Sequence, residues 1–138
     1  MQVDKIPAAS AADRVSTTHR AAFDAYRLLR FAFVVTPIVM GLDKFFNILT
    51  QWPKFVCPLI ADRIAPETFT RIVGPIEVLA GVLVLLKPKI GAMVVAAWLF
   101  AVIVNLLLIP GYYDVVMRDV GLLLAALALA RLSVIFAK

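Results

Sequence analysis

The chain has 138 residues, of which 63% are hydrophobic and 17% charged, and its formal net charge is +5. A water-soluble globule of this length cannot bury so much apolar surface, and the basic residues lie scattered between apolar runs instead of forming a stripe, which argues against nucleic acid as a partner. The single cysteine, Cys57, excludes an internal disulfide or a paired-cysteine zinc or redox motif.

In chain order, residues 1–27 read as a basic tail that becomes a surface helix near Thr18, where Ala21, Ala22, Ala25, Leu28 and Leu29 take helical spacing around Arg20 and Arg27. Charges run throughout this stretch and no apolar h-region precedes its small residues, so a cleaved signal peptide is not expected and the first span should act as the signal anchor. Residues 28–138 then hold four apolar segments, at about 28–49, 70–86, 90–109 and 119–136, each near the ~20 residues that a bilayer core demands of a helix. Irregular backbone cannot face lipid. The expected fold is therefore an all-α membrane protein, an antiparallel bundle of four transmembrane helices in contact with the lipid bilayer.

The only long connection joins spans one and two. Residues 50–65 mix Trp52, Phe55, Val56, Leu59, Ile60 and Ile64 with Lys54, Asp62 and Arg63, a pattern for short helices lying in the membrane interface. Trp52, Tyr112 and Tyr113 fall where interfacial aromatic anchors occur, and Trp98 near the middle of the third span reads as packing. Counting Lys and Arg gives nine on the side of the termini (Lys5, Arg14, Arg20, Arg27, Arg30, Lys87, Lys89, Arg131, Lys138) and five on the other (Lys44, Lys54, Arg63, Arg71, Arg118). The positive-inside rule then places both termini in the cytoplasm.

Polar residues within apolar spans carry the functional information, because a charge at the bilayer centre costs about 2.5 to 3.5 kcal/mol on insertion scales. Glu77 lies between Gly74 and Gly81, three residues after one and four before the other, so the three share a helix face, and the glycines mark close helix packing. Pro75 is expected to bend the helix there, since it cannot donate to the Arg71 carbonyl. Antiparallel bookkeeping brings Asp43 and Lys44 of the first span, Glu77 of the second, Asn105 of the third, and Arg118 with Asp119 of the fourth to one half of the bundle. Asp43 and Lys44, about 100° apart on a helix, cannot both point squarely inward. Two readings remain open: an internal ion-pair network in which Lys44 or Arg118, with Asn105 as a lesser partner, meets Glu77, or a small site that binds a polar head group, a proton or a quinone ring. The sole histidine, His19, lies in the tail, so no span offers an imidazole to haem or metal, and no catalytic Ser/His or paired-Asp arrangement exists.

The segments Gly41-Leu42-Asp43-Lys44-Phe45-Phe46-Asn47 with Trp52, Pro75-Ile76-Glu77-Val78-Leu79-Ala80-Gly81 and Arg118-Asp119-Val120-Gly121-Leu122 resemble the DoxX-like family of small four-helix membrane proteins, over roughly residues 28–136. The resemblance implies a bacterial inner-membrane protein acting in company, as relatives do in a thiosulfate:quinone oxidoreductase, in a membrane complex for oxidative-stress defence, and as eukaryotic assembly or cargo helpers. The family's lysine looks like Lys44, its glutamate like Glu77 and its Arg-Asp pair like Arg118 and Asp119. Where many relatives have a glycine turn after the second span, this chain has Leu86-Lys87-Pro88-Lys89. The leading expectation is a non-catalytic accessory or assembly subunit docked on a larger, redox membrane complex, needing no cofactor of its own. A partner should then cover Val82, Leu85, Val94, Val95 and Leu99 or the basic N-terminal helix. The rival is a quinone-reactive subunit using Lys44, Glu77 and Asp119, and a third reading is a small-solute transporter.

Overall fold

The computed structural model describes residues 10–137. Most of the far N-terminal tail and two of the cations counted for orientation, Lys5 and Lys138, lie outside those residues. The chain is all-α: α1 spans Ala11–Asp43, α2 is a single turn at Pro58–Ala61, and α3, α4 and α5 span Pro66–Leu86, Pro88–Leu107 and Tyr113–Phe136. A 3-10 turn, Trp52–Phe55, precedes α2. The four long helices are each apolar and long enough to cross a membrane, and they form a ring in the order α1, α3, α4, α5, with α5 closing onto α1. The first half of α1 and the last turn of α5 meet at one end, the terminal end, where Tyr26 packs on Phe136 with ring centroids 5.5 Å apart. The α3–α4 turn at Lys87 shares this terminal end; the long connection from Lys44 to Ala65 forms the opposite, loop end.

Helix α1 begins seven residues before the expected Thr18. Ser10 accepts from the Asp13 amide while Asp13 reaches back to the Ser10 amide, a reciprocal cap that satisfies two orphan donors. At 33 residues, about 50 Å by helical rise, α1 outreaches the ~30 Å hydrocarbon core; residues 11–21 are exposed, His19 among them still touching α5 with its ring 5.2 Å from that of Phe136. It ends at Asp43, not near Leu49. Lys44 is its C-cap, and Asn47 takes the left-handed conformation (φ 52°) that asparagine tolerates and that stops a helix.

Small residues set the helix spacing. A Cβ on Gly41 would stand 2.5 Å from the Gly74 carbonyl oxygen, and one on Gly74 would stand 2.6 Å from that of Gly41. The α1 and α3 backbones therefore touch there, an approach that only paired glycines allow. Gly81 repeats this two turns on, against the Val34 carbonyl and Ile38. Helix α3 stays helical through Pro75, as α1 does through Pro37. The terminal-end core comprises Tyr26, Phe33, Ala80, Val84, Ala92, Val95, Ala96, Ala126, Leu129 and Ala130. Val95 thus belongs to the core and is closed to lipid or a docking partner, Leu99 packs against it and is partly buried, and Leu85 and Val94 are exposed. The buried Ser133 hydroxyl bonds back to the Leu129 carbonyl at 2.7 Å, as a hydroxyl shut off from water must.

Candidate functional site

The end of α1 and the chain reversal after it build the site. The two neighbours do not compete for one inward face, because Asp43 faces the loop that follows while Lys44 faces α3, and both are 7% exposed. The Asp43 carboxylate turns back over its own helix end. It accepts from the amides of Ile48 and Leu49, each at 3.0 Å, and from the Trp52 indole Nε1 at 2.8 Å. Asn47 completes the reversal by accepting from the Trp52 amide at 3.3 Å. The indole so positioned lays its face on Lys44, whose Nζ sits 3.8 Å from the ring centroid.

From the other side Lys44 Nζ meets Glu77 Oε2 at 2.6 Å, with side chains 7% and 13% exposed. The second oxygen, Oε1, accepts from Trp98 Nε1 on α4 at 3.0 Å. Three helices thus converge on one carboxylate. Gly74 makes this possible, since α1 lies close enough that Lys44 Cβ is within 3.4 Å of where a Gly74 Cβ would stand. Each oxygen of Glu77 and each of Asp43 has a donor, which is the condition for keeping ionised groups out of water.

The remaining expected members lie elsewhere. Asn105 does not reach Glu77; it pins the loop, accepting from the Cys57 amide at 3.0 Å and donating to the Phe55 carbonyl at 2.6 Å. Cys57 itself is buried beneath that clamp. Arg118 is 71% exposed and faces Asp114 at 3.5 Å, one turn earlier on α5. Helix α5 starts at Tyr113 and directs Val116 and Val120 inward, so a residue midway between them points out. Asp119 is half-buried and makes no hydrogen bond or ion pair among the described residues. Tyr113 is exposed, whereas Tyr112 packs on Phe55 with ring centroids 5.1 Å apart. Trp52 and Trp98, expected as anchor and filler, are donors to the buried carboxylates.

A shallow groove between α3 and α4 leads to the pair. Ile76, Leu79, Leu83 and Val94 wall it, Glu77 and Trp98 reach it, and its volume is about 220 Å³. That is below the ~300 Å³ at which small-molecule pockets usually begin. Compared with known protein families, with characterised proteins and with solved structures, the chain matches none.

Proposed function

We propose that the chain is a non-catalytic, DoxX-like subunit that docks on a larger redox complex in a bacterial inner membrane, with both termini cytoplasmic. The observation that carries this reading is that each of the buried charges has a partner. Lys44, Glu77 and Asp43 are committed to one another or to Trp52, Trp98 and loop amides, so the cluster braces the bundle and holds no free base, acid or nucleophile. The family resemblance of the segments around Lys44 and Glu77 supplies the kind of complex. Positive charge at the terminal end supports the orientation. Crosslinking in native membranes, followed by purification in mild detergent and mass spectrometry, should return a consistent set of membrane partners. A protein that purifies alone, folded and without crosslinks, defeats the proposal.

The groove favours one second reading. A quinone-reactive subunit needs lateral access to a hydrogen-bonding group, and the α3–α4 groove leads from the lipid side to Glu77 and Trp98. In that case a short-chain quinone analogue should quench tryptophan fluorescence saturably, and Glu77→Gln should weaken its binding. Unsaturable quenching that is the same in the variant removes this reading. Its small volume places it second.

A further inference from the structure

Five cations collect at the terminal end of the bundle, apart from the buried pair. Arg27 and Arg30 lie one turn apart on α1, Lys87 and Lys89 flank the α3–α4 turn, and Arg131 lies on the last turns of α5. Between Ala25 and Leu42, between Val78 and Tyr113, and from Val120 to Lys138 the sequence has no acidic residue. The loop half differs: Lys44, Lys54, Arg63, Arg71 and Arg118 are interleaved with Asp43, Asp62, Glu67, Glu77, Asp114 and Asp119. The terminal end is thus net positive, with Asp24, one turn before Arg27, the acidic residue nearest the five cations in sequence, while the loop half is close to neutral.

Arg30 is built into this collar. One guanidinium nitrogen, Nη2, donates to the Leu85 carbonyl, and Nη1 lies 3.4 Å from the Tyr26 hydroxyl. The Leu85 carbonyl is among the last four of α3, which lack helical partners. Tied to that helix end two residues before Lys87, the guanidinium keeps its Nε buried without a partner among the described residues, at the level where α3 ends after 21 residues, about 31 Å of helix. Lys87, Lys89, Arg27 and Arg131 are exposed, and none makes an ion pair among the described residues. Unpaired cations at the edge of a hydrocarbon span meet the phosphates of lipid head groups, and each contributes favourably when those lipids carry net negative charge.

We propose that this collar, with Arg30 and Lys87 at its centre, binds the phosphate-bearing head groups of anionic phospholipids and so ties the terminal end of the bundle to an anionic leaflet. Native mass spectrometry of the full chain in detergent, titrated with phosphatidylglycerol or phosphatidylcholine, tests it. Phosphatidylglycerol should bind preferentially, and Lys87→Gln with Lys89→Gln, side chains that hold nothing in the fold, should reduce that preference about fivefold per lysine removed. Lys54→Gln with Arg63→Gln, an equal loss of charge at the loop end, should leave it unchanged. Inorganic phosphate should not displace the lipid. Equal binding of the two lipids overturns the proposal. So does the same loss in both double variants, which would make net charge the cause, and so does full displacement by inorganic phosphate, which would make a soluble anion the ligand.

Discussion

At the terminal end the four helices meet through Val84, Ala92, Ala126 and Leu129, all fully buried, and the buried hydroxyl of Ser133 satisfies itself within its own helix. At the loop end the contact between α1, α3 and α4 runs through Lys44, Glu77 and Trp98, and Asp43 with Trp52 folds the connecting segment down on top. The first region depends on shape and on glycine and alanine letting backbones approach, since lipid is as apolar as the core and offers no hydrophobic gain. The second depends on charge pairing, where each group is held because its removal strands another. Packing tolerates a graded loss, whereas a buried pair does not.

The largest expected effect breaks the pair from one side. Glu77→Leu leaves Lys44 buried and unpaired, at a cost of about 3 kcal/mol, the low end for buried pairs because a lysine one residue past a helix end can extend toward the interface. Equilibrium unfolding in mixed micelles checks this. At the terminal end, Leu129→Ala removes a side chain with no exposure. Its cost should be about 2 kcal/mol, the bottom of the usual range, because the cavity penalty persists while the transfer contribution vanishes in lipid.

Much of this comparison was legible in the sequence, and the parts that were not have identifiable reasons. Four spans follow from apolar length, and a cationic partner for Glu77 follows from depth and from the cost of an isolated carboxylate, but the sequence leaves Lys44 and Arg118 both open as that partner. The end of α1 was hidden because Phe45, Phe46, Ile48 and Leu49 prolong the apolar run; what stops the helix is Asn47 in a left-handed conformation under an Asp43 carboxylate that captures the next amides. The hydrogen bond from Trp98 to Glu77 adds to its packing role and is missing from the sequence reading, although a signal for it exists. With a one-residue turn at Lys87, residues equidistant from it face each other, and Glu77 lies ten before while Trp98 lies eleven after. Gly91, four after, abuts Val84 and Leu83, three and four before, in keeping with this. The rotation of α5 could not be read, because a helix apolar on every side gives periodicity nothing to fix, and so Arg118 was placed inward.

Smaller changes sharpen the contrast. Trp98→Phe keeps the ring and deletes one donor to Glu77, and should cost about 0.6 kcal/mol, the average for an interhelical hydrogen bond in a membrane, measured in the same micelles. Arg118→Gln breaks an exposed contact with Asp114 and should change stability by less than about 0.5 kcal/mol. A loss comparable to that of Glu77→Leu would show that α5 does contribute a charge to the brace.

The most direct measurement is a double-mutant cycle on Lys44 and Glu77 by equilibrium unfolding, using Lys44→Met, Glu77→Leu and the two together. A brace made of mutually dependent charges predicts that each single change is costly and that the double variant recovers most of the loss, with a coupling of about 2 kcal/mol or more. Additive losses with no coupling would contradict the account, and would mean that the two side chains stabilise the bundle independently of each other.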